Sequence, residues 1–223
     1  MAKKQKEEAI AFDEQLNKSE AFIEKNLKVI IIALVAVIVV VSGVFIYNNH
    51  MADVEQQAQK AIAKSQTAFA QSQYDQALNG DGASSKGFLK IINDYSGTKT
   101  ANLAKLYAAL CYANTEKYAE AIKMFEDFDR KDDQMISPAS LGALGNCYIK
   151  NGQNEKGAEM LVKAAKSADN NALSPLFLLQ AGEVYESLNN NEKAVELYKE
   201  IKSKYFRSPV SLNIDKYIER ATK

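Results

Sequence analysis

The sequence predicts an all-α protein: one N-terminal transmembrane helix, then a solenoid of helical hairpins closed by a C-terminal capping helix. Three observations predict it. Val29 to Tyr47, VIIIALVAVIVVVSGVFIY, runs without a single charge. All three prolines follow a serine, at Ser137-Pro138, Ser174-Pro175 and Ser208-Pro209, and these pairs recur at nearly even intervals. Between them, pairs of small residues twelve apart recur in one register, and periods of this length belong to repeat architectures.

The first element is a tail, residues 1–28, with six lysines (3, 4, 6, 18, 25, 28) and six acids (7, 8, 13, 14, 20, 24). The apolar run, residues 29–47, follows; as a helix it is roughly 29 Å long, the thickness of a hydrocarbon core. A lipid-embedded segment must satisfy its own backbone, so Val and Ile do not prevent a helix here. The acids of the tail, the length of the run and the absence of a small-x-small site in NNHMAD favour a retained anchor over a cleaved signal. Lysine asymmetry places the tail in the cytoplasm and everything from Asn48 onward outside, since residues 48–67 carry only Lys60 and Lys64. His50, the one histidine, is read as an interfacial residue.

Residues 48–97 are expected to hold an extension helix and a degenerate repeat. Met51, Val54, Ala58, Ile62, Ser65 and Phe69 make a stripe at helical spacing, and Tyr74-x-x-Ala77 echoes Tyr118-x-x-Ala121. The loop LNGDGASSKG interrupts this repeat and FLKIINDY completes it. Its Asn79 and Asp81 lack the further ligands of a calcium loop, so the segment reads as a turn.

Residues 98–223 hold three repeats and the capping helix. Ser-Pro suits a helix start, the serine as N-cap and the proline in the first turn. Ala108-Ala109-x-x-Tyr112, Leu144-Gly145-x-x-Tyr148 and Ala181-Gly182-x-x-Tyr185 come first. Twelve positions after the second small residue of each stand Ala121, Gly157 and Ala194, and four later Phe125, Leu161 and Tyr198. "KIINDYSGTKTANLAKLY" also aligns with "EIKSKYFRSPVSLNIDKY", pairing Tyr95 with Tyr205 and Tyr107 with Tyr217. Ser208 to Lys223 is the expected cap, Leu212, Tyr217 and Ala221 covering the last repeat and Asn213, Lys216 and Arg220 facing water.

This register resembles the tetratricopeptide repeat, L-G-x-x-Y then A-x-x-x-F, in which two antiparallel helices cross through small residues. The period is slightly longer than that family's, and Lys105, Leu141 and Leu178 stand where that family has its leading tryptophan.

The register also settles "GQNEKGAE", Gly152 to Glu159, which carries both glycines of the phosphate-loop pattern but Ala158 and Glu159 in place of the lysine and the hydroxyl. Gly152 ends a first helix, where a left-handed residue is favoured, and Gly157 is the small residue of a helix crossing. Because other repeats use alanine there, Gly157→Ala is expected to be tolerated. Cys111 and Cys147 occupy one register position and read as free, buried thiols.

Composition narrows the function. Twenty-eight basic and 28 acidic residues cancel, leaving no field to draw nucleic acid. No nucleophile is paired with a base and no ligands cluster, so no enzyme, cofactor, metal or small-molecule substrate is expected. A helical solenoid offers instead a surface of first helices for extended peptides or partner helices. The candidate partner-binding residues on that face are Leu106, Leu110 and Asn114, then Asn146, Ile149 and Lys150, then Leu179, Glu183 and Glu186. Leu106 and Leu110 need a cover, either Phe88, Leu89, Ile91 and Ile92 of the preceding half-repeat or a partner. Their presence argues against a carboxylate clamp.

The layout as a whole resembles the YfgM-like family of bitopic inner-membrane proteins of Gram-negative bacteria. The resemblance is carried by SEAFIEKN before the anchor, ALNGDG and GFLKII after it, and YSGTKTANLAKLYAALCY. It implies an adaptor at the outer face of the inner membrane that serves the secretion translocon, periplasmic chaperones or exported chains. Related Y-x-x-S-x-x-A arrays imply the alternative, a structural coordinator of cell-wall or outer-membrane assembly.

Overall fold

In the computed structural model, the backbone is described for residues 2–82 and 84–223 and the side chains for residues 22–82 and 84–223. The lysines and acids of residues 1–21, on which much of the orientation argument rests, lie outside the described side chains. Two compact units divide the chain, Met1–Asp53 and Val54–Lys223. Ten α-helices and no strand occur among the described residues: α1 (Ala2–Ala70), α2 (Tyr74–Asn79), α3 (Phe88–Asp94), α4 (Lys99–Asn114), α5 (Tyr118–Asp127), α6 (Ile136–Lys150), α7 (Asn154–Ala168), α8 (Ser174–Ser187), α9 (Asn191–Lys204) and α10 (Ile214–Thr222).

In the first unit, α1 includes an apolar stretch with a mean hydropathy of 3.4, long and apolar enough to cross a membrane. None of that stretch is buried inside the protein, unlike the core helix of a globular domain. Val29, Phe45 and Tyr47 are among its exposed side chains.

In the second unit the helices stack in chain order, each packing on the next. Four tight turns reverse the chain between paired helices, at Ser72, Glu116, Gly152 and Asn189, all with positive φ. In each, that residue's N–H bonds three residues back and the next N–H five residues back: Gly152 to Ile149 and Gln153 to Tyr148, for example. This is the Schellman arrangement, which satisfies the orphan carbonyls at a helix end. Only one of the four positions is glycine, so the turn tolerates a strained side chain where the hydrogen bonds demand it.

The first of these turns shows that the end of α1 is itself a repeat helix. Ser65 and Ala77, both fully buried, stand twelve apart, as Ala109 and Ala121 do, with Ala68 in the tyrosine's place. Glycines pinch the neck of the loop between α2 and α3: a Cβ on Gly87 would lie 2.3 Å from the Gly80 nitrogen, and one on Gly80 would lie 2.2 Å from the Ser85 carbonyl oxygen. Asp81 accepts from the N–H groups of Ser84 and Ser85 at 2.7 Å, closing the loop on itself.

Three apolar clusters follow one another along the stack. Ile62, Leu78, Phe88, Ile91, Ala104 and Ala108 join α1–α4. Ala109, Ala121, Phe125, Leu144 and Tyr148 join α4–α6. Leu161, Leu178, Tyr185, Tyr198, Ile201 and Ile214 join α7–α10. Leu106 and Leu110 are half-buried in the second cluster. Their cover is therefore the following helices α5 and α6, not the preceding Phe88 half-repeat, because Ala104 and Ala108 already occupy the α4 face turned to Phe88.

The Ser-Pro helix starts are where expected, but serine caps only one of them. Ser208 accepts from the Ser211 N–H, ahead of a short 3-10 turn, Pro209–Asn213. Thr98 does the same for α4, matching the internal alignment of Tyr95 with Tyr205, each of which ends a helix. At α6 the cap is Asp133, which accepts from the N–H groups of Met135, Ile136 and Ser137. At α8 it is Asn170, which accepts from Ala172 and Leu173. Ser137 and Ser174 turn inward instead, each taking an N–H from the incoming loop.

The C-terminal cap also differs in detail. Leu212 is 83% exposed, and Ile214 takes its place in the core. The 3-10 turn breaks the helix before Ile214, so the apolar face starts there rather than at Leu212. Arg220 does not simply face water: it donates to Glu186 through Nε at 2.8 Å and through a terminal nitrogen at 3.0 Å.

Candidate partner-binding surface

The register assigns the nine candidate residues to four positions on successive first helices. Leu110, Asn146 and Glu183 each follow the small crossing residue. Asn114 and Lys150 lie one turn further on, Ile149 and Glu186 share a position, and so do Leu106 and Leu179. Equivalent positions on stacked repeats form ladders across the array.

The side chains fall into three groups. Asn114, Asn146, Lys150 and Glu183 are exposed polar groups. Asn114 donates its amide back to the Leu110 carbonyl at 2.8 Å, while Lys150 sits in the last turn of α6, where a cation suits the helix dipole. Leu106, Leu110, Ile149 and Leu179 are half-buried and packed on the core clusters. Glu186 is engaged within the protein: besides Arg220, it accepts the Tyr198 hydroxyl at 2.7 Å, and its carboxylate is mostly covered. Burial and this bond to a carboxylate hold the Tyr198 phenol well above its ordinary range.

Backbone contact at the helix crossing brings the ladders together. A Cβ at Gly145 would stand 2.8 Å from the Gly157 carbonyl oxygen, and one at Gly157 would stand 2.7 Å from the Gly145 oxygen and 2.5 Å from Cγ1 of Ile149. Gly157 thus has no room for the methyl group expected there. In the third repeat, where Ala194 stands at the position of Gly157, the tight contact is at Gly182, whose Cβ would lie 2.3 Å from the Tyr198 ring.

The phosphate-loop-like stretch and the two thiols also have defined surroundings. The open depression at Gly152, Asn154 and Lys156 also carries Glu155 and Glu159, which would repel a phosphate. Cys111 and Cys147 are buried, unpaired and in different clusters. Burial pushes their thiols up to about 12 and about 11, so neither is a ready nucleophile. No group of three or more metal-ligating side chains occurs among the described residues.

Residues 20–205 match the tetratricopeptide repeat-like domain, and the chain belongs to that family. Among solved structures it is similar to a putative kinesin light chain of Podosopora anserina with nearly identical TPR-like repeats. The TM-score is 0.55 and the identity 14%, over 75% of this chain and 85% of that one. A second structure of that protein gives the same score and identity, over 86% of its length. At this identity the likeness shows the fold. No curated protein matches the sequence.

Proposed function

We propose that the protein is a membrane-anchored adaptor whose repeat domain binds protein partners through the first-helix ladders. The observation that carries this reading is the row of unengaged polar side chains, Asn146, Lys150 and Glu183, at repeating positions of α6 and α8. Groups of this kind, fixed by a rigid backbone, supply orientation and selectivity for a bound helix or extended peptide. Repeat domains of this family are interaction scaffolds, so a binding role needs no catalytic group.

The apolar stretch of α1 is the anchor in this reading. Its lysine-bearing tail faces the cytoplasm and the domain from Asn48 is exported, which in a Gram-negative cell means the periplasm. The resemblance to YfgM-like proteins supports partners of the secretion machinery: translocon subunits, periplasmic chaperones or exported chains. Solubilisation in mild detergent and affinity purification test it. Asn146→Ala with Lys150→Glu, or Glu183→Lys, should weaken recovery of translocon subunits or chaperones without changing the melting temperature. Exposed substitutions of this type shift stability by no more than about 0.5 kcal/mol. Glu186 is excluded from that set because its reversal would also break the contact with α10. Recovery of cell-wall or outer-membrane machinery would favour the coordinator role, and unchanged recovery would remove the ladders as the binding surface.

A further inference from the structure

The edge of the domain formed by the connections from each second helix to the next first helix is apolar in a way that the opposite edge is not. Outside α1, the described large apolar side chains that stand exposed include Met135, Ile136, Leu176, Phe206 and Leu212, ranging from 45% exposed at Leu176 to 83% at Leu212. All five lie within four residues of a Ser-Pro pair. The opposite edge, made by the four tight turns, reads QSQ, TEK, NGQN and NNN and exposes Leu188 alone from this class.

Hydrogen bonds run along the apolar edge from one connection to the next. Glu55 accepts from the Thr100 hydroxyl at 2.7 Å and the Thr100 N–H at 3.2 Å. Asn102 and Asp129 exchange two bonds at 2.8 Å. Asn170 donates to the Gln134 carbonyl at 3.2 Å, and Tyr205 donates to Asp169 at the same distance. A cavity of about 790 Å³ opens on this edge among Leu103, Phe128, Met135 and Ile136. The acids here are mostly engaged: Asp129 by Lys131, Asp169 by Lys204 and Asp133 by the first N–H groups of α6. Asp132 remains exposed, as do the Lys99 ammonium and the Arg207 guanidinium, which lies 5.5 Å over the Phe206 ring.

Glu55 marks where the chain leaves this unit toward Tyr47. Seven residue steps separate Val54 from Tyr47, at most roughly 25 Å of chain, so the covalent link to the apolar stretch enters the second unit beside Glu55. We infer that this edge docks on the surface of a lipid bilayer, with Met135, Ile136, Phe206 and Leu212 entering the headgroup region. The inference rests on the anchor reading above. A near-neutral edge with protruding apolar groups and arginine paired to an aromatic ring suits an interface in which rings and cationic stems sit at headgroup level.

The chain has no tryptophan, so single substitutions report one position each. The full chain is reconstituted in vesicles with and without brominated acyl chains. Met135→Trp, Phe206→Trp and Leu212→Trp should lose emission to bromine, as rings held at headgroup level would, whereas Gln153→Trp and Asn190→Trp on the opposite edge should not. Val40→Trp in the apolar stretch is the reference. Quenching of Val40→Trp without quenching at the edge overturns docking and leaves the anchor intact. Failure to quench Val40→Trp, with protein that does not float with the vesicles, overturns the anchor reading itself. Edge tryptophans shielded from aqueous iodide yet untouched by bromine would assign the edge to a protein occupant instead, again overturning the bilayer proposal.

Discussion

Two glycines of one short stretch, Gly152 and Gly157, do opposite jobs. Gly152 needs its φ of +78° but has open space around it, and Asn189 holds the same place in the next repeat at a φ of 58°. Gly152→Asn should therefore be tolerated. Gly157 has ordinary helical geometry but no space, so Gly157→Ala should cost about 1–3 kcal/mol in urea or thermal unfolding as an overpacked crossing. A variant as stable as the wild type would mean that this crossing relaxes freely. The sequence register located both residues, Gly152 at a helix end and Gly157 at a helix crossing. It could not rank them, because alanine at the equivalent positions says nothing about how closely a given pair of backbones approaches; that distance is set by Gly145 on the facing helix. Glu186 shows the same limit. Its face on α8 was readable, but its partner Arg220 lies on another element, α10, far along the chain.

At the level of elements, the helix pairs α4–α5, α6–α7 and α8–α9 follow the twelve-residue spacing read in the sequence, whereas Ser65 was read only as part of a helical stripe and its pairing with Ala77 comes from the structure. Serine was the obvious cap, yet an acceptor four residues earlier takes the role twice, in Asp133-x-x-x-Ser137-Pro138 and Asn170-x-x-x-Ser174-Pro175. That recurrence was present in the sequence and is the signal that identifies the cap. Bonds from the Ser137 side chain and the α6 N–H groups hold the Asp133 carboxyl below the usual range, and Lys204 does the same for Asp169. A carboxyl whose folded pKa is depressed contributes stability above its unfolded value, near 4, and loses it as pH falls through the folded value. The melting temperature should thus fall as pH drops below about 4. Asp133→Asn keeps the acceptor that Asn170 already provides, so it should melt much like the wild type at neutral pH with a shallower acid decline. Asp133→Ala should cost about 0.5–2 kcal/mol at neutral pH, as a lost cap does, and less as acid protonates Asp133 in the wild type. Equal acid slopes for the Asn variant and the wild type would contradict this assignment.

At the scale of the whole molecule, the fold class was legible because both of its signals are periodic or continuous: an uncharged run from Val29 to Tyr47 and a register that returns at Ala109, Gly145 and Gly182. The proposed binding surface was legible only as positions. Which of them remain free depends on contacts that cross between helices, and these leave Asn146, Lys150 and Glu183 exposed while drawing Leu106, Leu110 and Glu186 into the structure. The most direct test of the adaptor account is site-specific photo-crosslinking in living cells. A photoreactive residue at Asn146, Lys150 or Glu183 on the first helices should yield discrete adducts with one protein partner. The same residue at Glu155, Lys163 or Glu196 on the second helices should yield none. Adducts of equal strength from both sets, or from neither while the apolar stretch alone still captures the partner, would contradict it.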